Sequence, residues 1–290
     1  MKRYKGLYLM LAPFFIFFFC FTVLPVIISI WYSFTNFNVL QGAKFIGLKN
    51  YSRLFLDDPV FLIAIKNTLV IAVVIGPVGY ILSFMLAWLL NELPQKLRTF
   101  LTVVFYAPSI SGNAYVVFRQ IFSGDAYGFL NARLISLGLI QNPILWLEDS
   151  KYMITIVIMI SLWMSLGVGF LSFIAGLQGV ERSQYEAAEV DGVRNRWQEL
   201  WYITLPNMRP QLMFGAVMSV TSSLAVADVT VAMMGFPSTG YAAHTIINHL
   251  NDYGIVRMEL GYASAIAVLL FILMLSLNKS VQRMLRKVGT

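Results

Sequence analysis

Residues 186–206 read EAAEVDGVRNRWQELWYITLP, with four carboxylates, two arginines and two tryptophans. Long apolar runs flank this polar interval, so its meaning depends on a bilayer. Of the 290 residues, 58% are hydrophobic and 12% are charged, whereas soluble domains carry about 25% charged residues. An apolar stretch of about 20 residues with few charges is long enough to cross a membrane as a helix, and this chain has several. The sequence predicts an all-α polytopic membrane protein. Its net charge of +7 gives no nucleic-acid stripe, because the basic residues fall between the apolar runs. In a membrane protein such charge reports topology. The single cysteine, Cys20, lies inside the first apolar run and reads as a small apolar filler, with no second cysteine for a disulfide or a cluster.

Six spans are expected, at about Tyr8–Ile30, Thr68–Leu90, Phe100–Phe122, Met153–Leu177, Pro210–Met234 and Leu260–Leu277. The first imitates a secretory signal but is long for one and no A-x-A-like site comes after it, so an uncleaved helix is expected. Pro13, Pro25, Pro77 and Pro108 predict kinks that neighbouring helices can accommodate. Thirteen Lys and Arg residues lie on the side of both termini: Lys2, Arg3, Lys5, Lys96, Arg98, Arg182, Arg194, Arg196, Arg209, Lys279, Arg283, Arg286 and Lys287. Seven lie on the other side, and Arg119 sits near the end of a span. The positive-inside bias makes both termini, and the opening stretch, cytoplasmic. On the opposite side, residues 34–66 and 123–151 are long loops rich in Asn, Gly, Asp and aromatics; this suits either simple connection or a surface that meets an extracytoplasmic partner.

Residues 183–206 predict two short helices joined at a turn. Ser183 followed by Glu186 fits a capping box, as do Asn195 and Gln198 for the second helix. Gly192 permits a left-handed backbone between them. Trp197, Leu200 and Trp201 give the second helix an apolar face, and Pro206 ends it. Ala187 and Ala188 leave little bulk near the first helix start, so another protein could approach closely. The segment reads as a docking element without a catalytic group.

Glu186-Ala187-Ala188, then Gly192 after three residues, then Ile203-x-Leu205-Pro206, resemble the EAA motif of ATP-binding-cassette (ABC) importer permeases. Glu181-Arg182 and Asp191-Gly192 make the chain most similar to the carbohydrate-uptake branch, such as maltose and glycerol-phosphate permeases. The resemblance implies a type I permease fold with one transmembrane domain over residues 1–290 and a coupling-helix segment at 181–206. It implies that Glu186, Ala187, Ala188, Asp191, Gly192, Leu205 and Pro206 meet a cytoplasmic ATPase. It further implies a second, homologous permease, two ATPase subunits and an extracytoplasmic solute-binding protein. No cofactor is expected on this chain, which has no G-x-x-x-x-G-K loop, so ATP and Mg would be bound by the ATPase. The family pattern has nine residues between the glycine and the isoleucine, whereas Val193–Tyr202 makes ten. One extra helical residue turns the downstream residues by about 100°, and it is expected in the turn near Val193–Asn195.

An ionisable residue inside a span is a functional candidate, and Asp228 lies in the fifth. Thr221 is seven residues earlier and would share its face, with Ser222 beside it. Carboxylate and hydroxyl groups suit the hydrogen bonds of a carbohydrate, and aromatic faces suit its rings. Tyr106, Asn113 and Tyr115 in the third span and Trp163 in the fourth complete the candidate pathway. The hydroxyls also suit interhelical packing, and Asp228 equally suits a structural hydrogen bond to another span. Arg119 is the only cation the spans offer, so a neutral sugar fits better than glycerol phosphate. His244 and His249 are five apart, without a cysteine or acid cluster, so no metal site is expected. An integral-membrane enzyme would need more intramembrane acids, bases or nucleophiles, and an ion-coupled carrier would not need the cytoplasmic dock.

Overall fold

The apolar runs form helices, as their composition dictates, because a backbone in hydrocarbon can satisfy its polar groups only internally. The computed structural model describes residues 5–111 and 114–285. Among them, five helices are long and apolar enough to cross a membrane: Met10–Tyr32, Pro59–Asn91, Ser150–Gln178, Arg209–Met234 and Leu260–Leu285. The remaining run, expected as one span at Phe100–Phe122, passes the same test as a pair of helices, Gln95–Ile110 and Ala114–Ile121, bent by 82°, which makes six spans when the pair is one broken span. The sequence there reads Pro108-Ser-Ile-Ser-Gly-Asn, and Ser, Asn and Gly all favour non-helical backbone.

The prolines act in different ways. Pro77 lies within the unbroken helix Pro59–Asn91. Pro25 comes after a wide i→i+5 turn, Phe19–Val23, closed by Leu24 N–H donating to the Phe19 carbonyl. Such a turn relieves the clash that proline makes with the preceding turn of an α-helix. No residue from Met10 to Tyr32 is buried by the rest of the chain.

The chain divides into two compact units. The first comprises the chain up to Leu62 with Ile246–Ile272. Its centre is Asp58, 7% exposed, which accepts hydrogen bonds from the Tyr262 hydroxyl (2.7 Å) and the Phe61 amide (2.9 Å) and pairs with His249 Nε2 (3.0 Å). Burial pushes the Asp58 carboxyl up, but these hydrogen bonds outweigh it and hold the group below its usual value. Burial also lowers the His249 pKa, against the pull of Asp58. Beside this network Arg53 pairs with Glu259 at 2.6 Å and stacks over the Tyr262 ring at 4.1 Å. Asn50, also buried, donates to the carbonyls of Ser33 and Thr35.

The second unit comprises Ile63–Thr245 with the chain from Leu273. It holds two apolar cores. One joins Ile71, Ile75, Phe118, Phe122, Met153, Ile156, Ile160, Val229 and Met233. The other joins Phe84, Ala87, Leu90, Phe170, Phe173, Leu177, Leu200, Met208 and Leu212. Along the second, fourth and fifth spans the two cores occupy opposite halves of each helix, leaving residues 76–83, 161–169 and 215–228 between them. The loops are fixed by buried asparagines. Asn131 donates to the Ile144 carbonyl at 3.0 Å and accepts from Trp146 Nε1 at 2.8 Å, while Asn67 donates to carbonyls at Ala242 and His244. The asparagines of these segments thus hold the loops together from within.

Lipid is as apolar as a leucine side chain, so spans associate by close packing and small residues. Gly215 shows this, because the Phe173 ring lies where its Cβ would be. Gly215→Ala is expected to displace that ring and cost about 1–3 kcal/mol, read as a lower thermal unfolding midpoint of the purified protein; an unchanged midpoint contradicts the packing.

Candidate functional site

The 181–206 segment and the interval between the cores are the two places where polar chemistry collects. In the segment, the first helix is Arg182–Val190, with Glu181 as its extended N-cap. The Ser183–Glu186 capping box does not form: Ser183 is already helical, and Glu186 pairs with Arg182 one turn back at 3.1 Å. The helix ends in a Schellman motif. Val193 N–H donates to the Ala188 carbonyl (2.9 Å) and Gly192 N–H to that of Glu189 (3.2 Å), around Gly192 at φ +97°. Only a residue tolerant of that left-handed backbone fits there.

The second helix starts as expected. Asn195 Oδ1 accepts from the Gln198 amide (2.9 Å), and Gln198 Oε1 accepts from the Arg194 amide (2.9 Å). The ten-residue interval runs from the Gly192 turn through the second helix. It contains a wide turn at Leu200–Thr204, in which the Leu205 amide reaches the Leu200 carbonyl. A single extra residue in a helix is what an i→i+5 turn accommodates. This wide turn also alters the expected apolar face: Leu200 is 5% exposed, whereas Trp197 and Trp201 are 63% and 62% exposed.

The segment is anchored on one side and bare on the other. Tyr185 and Thr204 share a hydrogen bond of 2.9 Å, and Asn207 Nδ2 donates to Gln184 Oε1 at 2.6 Å. Leu200 and Leu205 pack into the second core. Opposite these anchors, Glu186, Ala187, Val190, Asp191 and Gly192 are exposed, while Ala188 is half-buried. Leu205 and Pro206 are half-buried too, so they support the segment and do not form its bare face.

Between the cores lies a cavity of about 450 Å³. Two helix breaks line it. The fourth span is interrupted at 165–167, between Ser150–Met164 and Val168–Gln178, and the fifth at 225–227, between Arg209–Leu224 and Asp228–Met234. Non-helical backbone at membrane depth is tolerated where it is buried in protein or lines a polar cavity, and broken helices of this kind surround substrate sites in transporters. Tyr106, Tyr115, Ser222 and Asp228 line the cavity. Thr221 does not: the break after Leu224 removes it from the face of Asp228, and its hydroxyl donates to the Val217 carbonyl at 2.8 Å. Trp163 also lies outside the lining and packs edge-on against Phe118 at 5.4 Å. Asn113 falls outside the described residues.

Sequence reasoning missed Tyr80, Ser83, Ser161 and Ser219 in the lining. Ser219 donates to the Gly76 carbonyl (2.7 Å) and Tyr80 to that of Leu212 (3.3 Å), so they tie spans together. The Ser161 hydroxyl is different: the residue is 7% exposed and its Oγ has no hydrogen-bond partner among the described residues. Hydroxyls recurring on apolar helices were the available signal, but nothing in the sequence separates a tie from a free group. Among the described lining residues there is no Lys, Arg or His, and Asp228 is the one carboxylate.

The histidines have separate roles: His244 packs with Tyr241 and Phe236, and His249 with Asp58.

Residues 79–289 match the family described as binding-protein-dependent transport system inner membrane component. A probable ABC transporter permease of Bacillus subtilis strain 168, YesP, is 32% identical over 272 residues, covering 92% of this chain and 85% of that protein. The arabinooligosaccharides transport system permease AraP of the same organism is 30% identical over 275 residues, covering 92% and 84%. A crystal structure of a bacterial alginate ABC transporter, in complex with an alginate pentasaccharide-bound periplasmic protein, contains a chain of the same fold. It superimposes with a TM-score of 0.80 at 25% identity, covering 100% of this chain and 96% of that one. This chain therefore belongs to the binding-protein-dependent inner-membrane permeases of ABC transporters.

Proposed function

We propose that the chain, as one permease domain, carries a carbohydrate, an oligosaccharide in particular, into the cytoplasm, driven by a separate ATPase. Both termini and the 181–206 segment face the cytoplasm in this reading, in keeping with the distribution of Lys and Arg. The observation that carries it is the Arg182–Val190 helix, anchored through Gln184 and Tyr185 and bare at Glu186, Ala187 and Asp191. A helix held from behind, with little bulk on its free face, suits the groove of a partner.

The partners are inferred from the family and from the relatives' own assemblies. A second permease would cover spans that the chain leaves bare, such as Met10–Tyr32. Two ATPase subunits would bind ATP and Mg on the cytoplasmic side. A solute-binding protein would deliver substrate to the outer loops. Closure of the ATPases would move the docking helix and switch the cavity from inward- to outward-facing, and hydrolysis would reset it.

The cavity chemistry favours an uncharged sugar. Tyr106 and Tyr115 offer aromatic faces and Asp228 an acceptor for substrate hydroxyls. A phosphorylated solute such as glycerol phosphate would meet a carboxylate and, among the described lining residues, no cation. An ion-coupled carrier is the other alternative, and it would work without an ATPase.

The test is ATP hydrolysis and labelled-oligosaccharide uptake by the co-expressed complex in vesicles. Glu186→Lys is expected to lower uptake and stimulated hydrolysis together by about tenfold or more, since a reversed charge at a docked surface repels its partner. Uptake that persists without any ATPase favours the carrier. Asp228→Asn is expected to lower uptake by about tenfold through the loss of a charged acceptor, with insertion unchanged. Uptake equal to wild type removes Asp228 from the pathway.

A further inference from the structure

We propose that Arg196 and Glu92 are positioning residues that transmit movement of the Arg182–Val190 helix to the cavity wall. The inference rests on the reading of that helix as the ATPase dock. Arg196 opens the short helix Arg196–Glu199, and its Nη2 lies 2.5 Å from Glu92 Oε2, just past the end of the second span. One turn earlier on that span, Trp88 meets the neighbouring Trp197 with ring centroids 5.2 Å apart. The segment thus grips the second span by one ionic and one aromatic contact. On its other side the same segment is tied to the docking helix through Tyr185–Thr204 and Gln184–Asn207.

The second span differs from those that continue the segment covalently. The fourth and fifth spans are both broken at the cavity, and a broken helix can absorb a displacement in its joint. The second span runs unbroken from Pro59 to Asn91 and lines the cavity with Gly79, Tyr80 and Ser83. Eleven residues separate Asn91 from Tyr80, about 17 Å of continuous helix. Pro77 lies beyond Tyr80 and so does not interrupt this stretch. A push at Glu92 therefore reaches the cavity without passing a joint. The second core stiffens the route, because Phe84, Ala87 and Leu90 of the span pack there with Leu200 of the segment. The Arg196 and Glu92 side chains are 62% and 36% exposed. A pair this open adds little to stability, so breaking it leaves the fold in place and isolates its part in transmission.

The experiment compares the reconstituted complex of this chain with its partner permease, ATPases and binding protein, measuring ATP hydrolysed per sugar imported. Glu92→Arg and Arg196→Glu are each expected to raise this ratio about fivefold, within the range of ordinary coupling energies, with basal hydrolysis and membrane insertion kept. Arg196→Lys, which retains the charge, is expected to stay near wild type. The double variant Glu92→Arg/Arg196→Glu restores the attraction with the two charges exchanged, and is expected to recover part of the coupling, because Glu199, which pairs with Arg196 at 3.3 Å, then faces a like charge. Single variants at the wild-type ratio overturn the inference and leave the importer reading standing. A double variant as uncoupled as the singles overturns it too, because the side chains then act separately. A wild-type complex that imports sugar without ATP overturns both.

Discussion

A backbone amide in hydrocarbon has no water to bond, and this constraint shapes the molecule more than any single contact. It forces the apolar runs into helices and confines irregular backbone to places where protein or a polar cavity supplies partners. The interruptions at 165–167 and 225–227 satisfy it together, because both face the same cavity. The two apolar cores lie on either side of that level. Close packing holds each core, while the interval between them is left open and lined with hydroxyls, tyrosines and Asp228. The breaks in both helices fall at this cavity, whereas the cores on either side are close-packed.

At the other end of the second core, the 181–206 segment is built on opposite terms. It lies where water can reach it, so burial of Leu200 contributes on the order of 1.5–3 kcal/mol. Its first helix keeps a bare face, and its backbone ends are satisfied locally by the Schellman turn at Gly192 and by Asn195. Such a piece holds its shape before any partner arrives, so docking costs little ordering. Anchors on one face and bareness on the other distinguish it from a connecting loop.

Hydropathy made most of the architecture legible. The segment's turn was legible because Gly192 and the Asn195–Gln198 pair act through local backbone chemistry, which sequence spacing encodes. The failures were of a different kind. Ser183 looked like a cap because its spacing to Glu186 fitted, but the helix began one residue earlier and Arg182 took the carboxylate. Thr221 and Asp228 were placed on one face by assuming an unbroken helix through Leu-Ala-Val-Ala, four residues with no helix breaker among them. The bend in the third span was signalled by its Pro, Ser, Gly and Asn residues, though hydropathy averages over them. Arg196–Glu92 and Trp88–Trp197 were invisible because they join residues about 100 positions apart, which no local pattern records.

The claim on which the account turns is that the bare face at Ala187 is where the ATPase sits. The direct measurement is thiol cross-linking in the assembled complex, with the exposed Cys20 replaced by Ser and a single cysteine introduced at Ala187. The control carries its cysteine at Tyr127, 93% exposed in the loop assigned to the opposite side of the membrane. The account predicts a cross-link to the ATPase from position 187 and none from 127. A complex that hydrolyses ATP and imports sugar, yet yields no ATPase cross-link at 187 or yields one at 127, contradicts it.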